Sequence, residues 1–179
     1  MKAISVAHNA DILVDTYQFH ESVKKQVVAK LKEGVPSIPK ESTNVKATVH
    51  TTYNWEPKNI VFRNLKAYIR EEINRHYKPG FIGETTRETL EEANFWLNVY
   101  EKNDYAQNHH HWPYHYSFAY FVECEEDHPP LVFTDNGYEV PPVEGTYVAF
   151  PAYLNHSVAK NTLDKVRITL SGNFNCTHP

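Results

Sequence analysis

The 179-residue sequence has little cysteine, no long apolar run and no excess of positive charge. Its two cysteines, Cys124 and Cys176, are too few for a disulfide framework, so we expect unpaired thiols in a reducing compartment, by default the cytoplasm. No run approaches the roughly 18 apolar residues of a membrane span, and residues 1–15 lack the apolar core of a signal peptide. A net charge of -4 provides no general attraction for phosphate backbones. We therefore expect neither a nucleic acid nor a membrane as partner.

The length and composition are those of a single folded domain. A hydrophobic content of 41% and a charged content of 22% leave no compositional case for disorder. We find no repeat, low-complexity tract or linker, so we expect one domain over residues 1–179. Its N-terminal part, residues 1–93, is predicted to be mainly helical, and residues 94–175 are predicted to form a β-rich core.

Two amphipathic helices are predicted in the N-terminal part. Val23 and Val27 belong to an apolar stripe that predicts a helix from Phe19 to Leu31, which Gly34 would end. A stronger stripe predicts a second helix from Pro57 to about His76; its members are Phe62, Leu65, Ile69 and Ile73. The segment Lys46 to Tyr53, rich in Thr, Val and Tyr, predicts a strand, and Lys78 to Glu92 predicts a loop.

From Asn94 onward, short strands alternate with turn residues, which is typical of a β-sandwich or barrel. The fold class predicted is α+β, mainly β: a jelly roll flanked by N-terminal helices. The predicted strands are Phe95 to Glu101, Ser117 to Glu123, Leu131 to Thr134, Thr146 to Phe150, His156 to Ala159 and Val166 to Phe174.

Histidines are concentrated in one segment, where His109, His110 and His111 are consecutive and His115 follows closely. On an extended backbone alternate side chains share a face, so His109 and His111 can reach one point while His110 faces away. A third imidazole from His156 would complete a metal site, and His110 and His115 are not expected to be ligands. The alternative to a metal site is that these consecutive histidines form an exposed polar loop. Neutral imidazoles bind Zn, Fe and Cu alike, so the predicted ligand set does not identify the metal.

Several segments together resemble the small 2-oxoglutarate- and Fe(II)-dependent oxygenases, which are prolyl-hydroxylase-like in fold. The segments are Trp96 to Val99, Gln107 to His111, Ser117 to Phe121, Gly145 to Pro151, His156 to Val158 and Arg167 to Asn173. The resemblance implies a double-stranded β-helix, Fe(II) held by His109, His111 and His156, 2-oxoglutarate as co-substrate and O2 as oxidant. It implies a dioxygenase that hydroxylates a peptide side chain or a small molecule.

The resemblance also suggests which residues bind the co-substrate. A basic residue about ten positions after the distal histidine anchors 2-oxoglutarate in such enzymes, and Arg167 fits that role, since a guanidinium can bind a carboxylate bidentately. Tyr120 stands where these enzymes often place a tyrosine on the same carboxylate. Thr169 follows on the same strand face as Arg167. Asn98 and Asn173 are further candidates for contact with the co-substrate.

The sequence departs from this family at the second ligand position, where His111 replaces the usual Asp or Glu. Three neutral imidazoles leave more positive charge on the metal, which should strengthen binding of an anionic co-substrate. Asp104, Glu123 and Asp135 lack the strand spacing of a replacement ligand. A three-histidine set also resembles the cupin-type thiol dioxygenases, which need no 2-oxoglutarate. A non-catalytic, cupin-like metal-binding module is the remaining alternative, and nothing in the sequence predicts an oligomeric state.

Overall fold

The computed structural model of the chain describes residues 2–7, 10–76 and 89–177. Within these ranges it contains two α-helices, α1 (His20–Glu33) and α2 (Ile60–His76). The strands are β1 (Lys2–Ala7), β2 (Ala10–Thr16), β3 (Val45–Lys46), β4 (Val49–His50), β5 (Thr89–Tyr100), β6 (Tyr105–His109), β7 (Tyr116–Glu123), β8 (Leu131–Phe133), β9 (Tyr138–Val140), β10 (Thr146–Pro151), β11 (His156–Val158) and β12 (Arg167–Thr177). A short 3₁₀ turn covers Lys40–Ser42.

The strands form two antiparallel sheets. The larger sheet has the order β1-β2-β10-β7-β12-β5-β4, and the smaller one has the order β3-β6-β11-β8-β9. The pairs β1–β2 and β8–β9 join consecutive strands, whereas other neighbours are far apart in sequence, as β10 and β2 show by pairing through Val148 and Val14. Two packed antiparallel sheets with helices outside form a jelly roll, so the predicted fold class is confirmed.

The helices pack on one face of the larger sheet. In α1, Val23 and Val27 are fully buried, four residues apart on one helix face. The apolar stripe of α2 is likewise buried, and its members are Phe62, Leu65, Ile69 and Ile73. These side chains contact Leu97 and Leu170 of the sheet in one hydrophobic cluster. Burial of the two stripes therefore fixes the helical layer.

A second hydrophobic cluster lies between the two sheets. Phe121 and Phe150 from the larger sheet pack with Leu131 and Phe133 from the smaller one. Side chains alternate between the two faces of a strand. Odd-numbered positions of β12, such as Arg167, therefore face the space between the sheets, while even-numbered positions face the helices. This alternation brings polar residues into the interior next to a wall of apolar ones.

The structure corrects several strand and loop predictions. The N-terminal part contains the strands β1 to β4 in addition to the helices. Strand β5 begins at Thr89, inside the predicted loop Lys78 to Glu92. Residues 78–88 of that predicted loop lie outside the described residues. The strand predicted from Lys46 to Tyr53 is two short strands, which belong to different sheets. Short strands of two or three residues carry too little periodicity to be separated from turns.

Neither described helix is long and apolar enough to cross a membrane. Cys124 and Cys176 form no disulfide with each other.

Candidate metal centre

Three imidazoles meet in the space between the two sheets. His109 ends β6 and His156 begins β11, and the two positions are direct partners in the antiparallel ladder. His111 lies just beyond β6, where its backbone N–H donates to the Ala152 carbonyl oxygen at 2.7 Å. The ring centroids are 4.4 Å apart for His109 and His156 and 5.0 Å apart for each pair that includes His111. One ring nitrogen of each histidine lies within 4.8 Å of the other two.

Backbone carbonyls orient two of the three rings. The Nδ1 atom of His109 lies 2.7 Å from the Gln107 carbonyl oxygen, and that of His156 lies 2.9 Å from the Leu154 carbonyl oxygen. A carbonyl oxygen only accepts hydrogen bonds, so each Nδ1 carries the proton and each Nε2 keeps its lone pair. Metal-binding histidines are commonly held by this kind of outer hydrogen bond. Both rings are therefore prepared to donate Nε2 to a metal.

The environment keeps the three imidazoles neutral. Burial lowers the pKa of His111 to about 3, with a further contribution from His109 and His110. Burial is also the main cause of the lowered pKa of His109 and of the much lower pKa of His156. A neutral imidazole is the form that binds a metal cation. The cluster is thus a set of three imidazoles that are neutral at neutral pH and able to act as nitrogen ligands.

The neighbouring histidines have other contacts. His110 is exposed, and its Nδ1 accepts a hydrogen bond from the Trp112 backbone N–H at 3.2 Å. His115 is also exposed, and its Nδ1 accepts from the Cys176 backbone N–H at 3.1 Å. Neither belongs to the cluster of ligand atoms. His110 and His115 therefore lie outside the group formed by His109, His111 and His156.

No described carboxylate joins the three histidines. The Asp104 carboxylate accepts hydrogen bonds from the backbone N–H and the hydroxyl of Thr48 at 2.6 and 2.7 Å. Asp135 accepts from the Asn155 amide at 3.2 Å, and a Glu123 oxygen lies 3.9 Å from the Lys24 ammonium group. All three carboxylates considered as replacement ligands therefore have partners away from the cluster.

A row of polar side chains from β5 and β12 lines a cavity beside the three histidines. Paired positions face each other across the two strands: Tyr100 with Arg167, Asn98 with Thr169, and Trp96 with Ser171. All six side chains line the same cavity as the three histidines. Leu131, Phe150 and Val158 form its apolar wall. The fold therefore places a cationic group and several hydrogen-bonding groups in the lining of one cavity with the candidate metal ligands.

Arg167 supplies the positive charge of this cavity. The residue is 2% exposed, and its guanidinium carbon lies 5.8 Å from the Tyr100 ring centroid and 5.4 Å from the Phe121 ring centroid. One guanidinium N–H donates to the Pro129 carbonyl oxygen, whereas the buried Nε has no acceptor among the described residues. Burial lowers the pKa of Arg167, against raising contributions from Tyr100 and Cys124. A buried cation with an unmatched donor fits an anionic ligand such as a carboxylate.

The other predicted co-substrate residues lie in three different places. Asn98 and Thr169 line the cavity with Arg167, and the Asn98 amide nitrogen donates to the Thr169 hydroxyl oxygen at 3.2 Å. Asn173 lies further along β12, where its amide accepts from the Ser117 hydroxyl at 2.7 Å and donates to the Asn94 side chain at 3.2 Å. Asn173 lines an outer pocket instead of the Arg167 cavity. Only the first two are therefore placed to contact a ligand bound by Arg167.

The structure places Tyr120 away from the cavity, in contrast to its predicted role. Tyr120 is buried in the cluster between the larger sheet and the helices, and its hydroxyl lies 2.8 Å from Nδ1 of His20. Its ring packs edge-on against Tyr17, at a centroid distance of 6.4 Å. On β7 the neighbouring Phe121 faces the cavity side, because adjacent side chains point to opposite faces. Tyr120 is predicted to share a carboxylate with Arg167; in the structure it lies on β7, next to β12, but its side chain points to the opposite face of the sheet from Arg167.

An outer pocket of about 480 Å³ adjoins the histidines. Its lining includes His109, His111 and Trp96, and Trp96 also lines the inner cavity, so the two spaces meet at this ring. The rim residues are Thr43, Asn44, Tyr53, Gln107, Trp112 and Tyr114. A molecule too large for the inner cavity can therefore reach His109 and His111 from the outer pocket.

Sequence reasoning assigned no site role to His50 or Trp96. Trp96 shares the strand face of Asn98, so the period of two along β5 is a signal that could have identified it. The Trp96 indole N–H is buried without an acceptor among the described residues. His50 lies on the two-residue strand β4, and no local pattern in the sequence indicates its place.

Comparisons with known proteins add solved structures of the same architecture. Comparison with protein-family models gave no match, and neither did comparison with curated protein sequences. A viral collagen prolyl hydroxylase from Paramecium Bursaria Chlorella virus-1, solved with 2OG, superposes with a TM-score of 0.69 at 13% identity, covering 91% of this chain and 94% of that one. A Pseudomonas putida prolyl-4-hydroxylase gives 0.66 at 14% identity and covers 93% of each chain.

A third structure is a prolyl hydroxylase from Trichoplax adhaerens in complex with a hypoxia-inducible-factor peptide fragment. It superposes with a TM-score of 0.68 at 11% identity, covering 91% of this chain and 82% of that one. This chain shares the fold of the prolyl hydroxylases. At these low identities the likeness establishes the architecture, and the chemistry has to be argued from the site itself.

Proposed function

We propose that this chain is an Fe(II)- and 2-oxoglutarate-dependent dioxygenase that hydroxylates a peptide side chain or a small molecule. The observation that carries this proposal is the presence of Arg167 and three converging neutral histidines in the lining of one cavity. A site that only held a metal would have no use for a buried cation with an unmatched donor in the same space.

His109, His111 and His156 would hold the iron through three imidazole nitrogens, which leaves further coordination positions open for ligands. When bound, Fe(II) supplies the activation of O2, coupled to the oxidative decarboxylation of 2-oxoglutarate to succinate and CO2. The three ligands carry no negative charge, so the full charge of the metal favours an anionic co-substrate. The absence of a ligating carboxylate is therefore compatible with this chemistry.

Arg167 would bind the carboxylate of 2-oxoglutarate that is remote from the metal. Its guanidinium is held in place by the Pro129 carbonyl and by the rings of Tyr100 and Phe121. Thr169, at the next position on the same face of β12, lines the same cavity and offers a hydroxyl to that carboxylate. The apolar wall of the cavity, formed by Leu131, Phe150 and Val158, would lower the local dielectric constant and strengthen the ion pair.

The substrate would enter through the outer pocket. Its lining is rich in amide and hydroxyl groups and carries three aromatic side chains on its rim, of which Tyr53 and Trp112 are 44% and 70% exposed. Such rings can pack against a proline or another compact ring while the polar groups bind backbone or hydroxyl atoms. The peptide held by the Trichoplax adhaerens enzyme of the same fold supports a peptide as one class of substrate.

An anaerobic titration tests the proposal. We expect the protein to bind one Fe(II), and addition of 2-oxoglutarate should then produce a weak visible charge-transfer band that saturates. His110→Ala should behave like the natural protein, whereas His156→Ala should lose both the metal and the band. Metal binding without any response to 2-oxoglutarate would contradict the proposal. Turnover of a small thiol in its absence would favour the thiol dioxygenase instead.

A further inference from the structure

A row of three hydrogen-bonded side chains crosses strands β4, β5 and β12. His50 is paired with Asn98 in the β4–β5 ladder, and Asn98 is paired with Thr169 in the β5–β12 ladder. The His50 Nδ1 atom lies 2.6 Å from the Asn98 amide oxygen, and the Asn98 amide nitrogen lies 3.2 Å from the Thr169 hydroxyl oxygen. The row ends at the cavity that contains Arg167.

The direction of these hydrogen bonds follows from their chemistry. The Asn98 oxygen only accepts, so His50 Nδ1 must carry a proton and donate it. The Asn98 amide nitrogen only donates, so the Thr169 oxygen is the acceptor of the second bond. The hydroxyl hydrogen of Thr169 is then not used within the row and remains available to donate into the cavity. His50 therefore determines, through Asn98, the direction in which Thr169 donates.

His50 is built into a fixed position. It is 1% exposed, its backbone N–H donates to the Ser37 hydroxyl at 2.9 Å, and its carbonyl accepts from the Ile38 N–H at 2.7 Å. Its Nε2 lies 3.4 Å from the Tyr53 hydroxyl at the rim of the outer pocket. Burial lowers the pKa of His50, against the hydrogen bond with Asn98, so the ring is a neutral donor and acceptor. A flipped Asn98 amide would need the opposite tautomer of His50.

We propose that His50 is a positioning residue, which fixes the Asn98 amide so that Thr169 donates its hydroxyl hydrogen to a dicarboxylate co-substrate bound by Arg167. The proposal rests on the proposed function, because it needs a ligand carboxylate next to Arg167. His50 touches neither that ligand nor the metal in this arrangement. The short strand β4 thereby acquires a role at the edge of the sheet, which is to supply the donor that begins the row.

Two pairs of variants test the row by titration of 2-oxoglutarate into the Fe(II)-loaded protein without oxygen. His50→Leu removes the donor but keeps an apolar side chain of similar size, whereas His50→Asn places an amide N–H near the position of Nδ1. Thr169→Val removes the hydroxyl, and Thr169→Ser retains it. We expect the dissociation constant of 2-oxoglutarate to rise about tenfold in His50→Leu and Thr169→Val, which is the size expected for one hydrogen bond to a charged group. It should return to within about threefold in the two matched variants.

Oxalate separates positioning from a general disturbance of the site, because it chelates a metal but has no remote carboxylate. The affinity for oxalate, the affinity for Fe(II) and the melting temperature should be similar in His50→Leu and His50→Asn. Equal 2-oxoglutarate affinity in the natural protein and His50→Leu would overturn the role of His50 and leave the proposed function intact. Equal losses for oxalate and 2-oxoglutarate would show a structural role only. No 2-oxoglutarate binding by the natural protein would refute the proposed function and, with it, this inference.

Discussion

His109 and His156 are direct partners across β6 and β11, with their ring centroids 4.4 Å apart. This pairing places two of the candidate ligands by backbone hydrogen bonding alone, while His111 is placed by a separate contact with the Ala152 carbonyl beyond the end of β6. The position of the third candidate ligand thus depends on a loop, and the positions of the first two depend on the sheet.

Two substitutions of His111 should show whether the number of metal ligands or their charge determines how much Fe(II) is bound. We expect His111→Ala to lose most of the bound Fe(II), because two imidazoles remain, and His111→Asp to retain it, since a carboxylate at the same position offers an oxygen ligand. Bound iron and succinate formation are measured for both variants, with His115→Ala as the control. Full iron content in His111→Ala would show that this residue is not a ligand.

Removal of the Arg167 charge should weaken 2-oxoglutarate binding without affecting the metal. In Arg167→Met the apolar length of the side chain is kept, and we expect the dissociation constant to rise about tenfold to a hundredfold, the range for a lost charge-assisted hydrogen bond. Arg167→Lys should recover part of the affinity, because the charge returns without the planar fork. An unchanged co-substrate affinity in Arg167→Met would assign the anchor to another residue. Arg70→Ala, on the exposed side of α2, is the control for loss of an arginine elsewhere.

Tyr120→Phe should change stability and leave the co-substrate site unaffected. The hydroxyl contacts His20 in the helical layer, so its removal is expected to cost about 0.5 to 1.5 kcal/mol of unfolding free energy. The dissociation constant of 2-oxoglutarate should remain within about twofold, a difference below 0.5 kcal/mol. Chemical denaturation and the anaerobic titration measure the two quantities. The opposite pattern, a large loss of affinity at constant stability, would return Tyr120 to the co-substrate site.

Asp104 should make the stability of the fold depend on acid pH. Burial raises the pKa of this carboxyl, but the hydrogen bonds from Lys40, Thr48 and the Glu101 backbone outweigh it, and the net pKa is lowered from 3.8. The folded state thus favours the ionised form. Its contribution to stability is complete at pH values well above 3.8 and is lost as the pH falls through the lower folded pKa.

The corresponding variant is Asp104→Asn, which keeps the shape of the side chain and removes its charge. We expect it to unfold with about 1 to 3 kcal/mol less free energy than the natural protein at pH 7, and the difference should shrink as the pH falls from the unfolded value of 3.8 through the lower folded pKa. Urea denaturation at several pH values provides the measurement. A difference that is constant between pH 7 and pH 2 would contradict the assigned ionisation. Asp164→Asn is a suitable control, because Asp164 is 85% exposed and pairs with Lys102 at the surface.

The sequence alone determined the features that depend on local spacing. The helical stripes predicted α1 and α2 to within a few residues, and the alternation of His109 and His111 predicted a shared direction for their rings. Both results follow from the periods of 3.6 and 2 that a regular backbone imposes on neighbouring side chains. The period of two likewise predicts that Arg167 and Thr169, two residues apart on β12, share one face of that strand.

Only the tertiary structure decided which faces and strands meet. Tyr120 and Arg167 lie on adjacent strands, but their faces depend on the register between β7 and β12, and that register is set by packing between residues that are distant in sequence. His50 reaches Asn98 because the two-residue strand β4 pairs at the edge of the sheet beside β5. A strand that short has no periodicity of its own, so its partner is chosen by hydrogen bonds and burial in the assembled sheet.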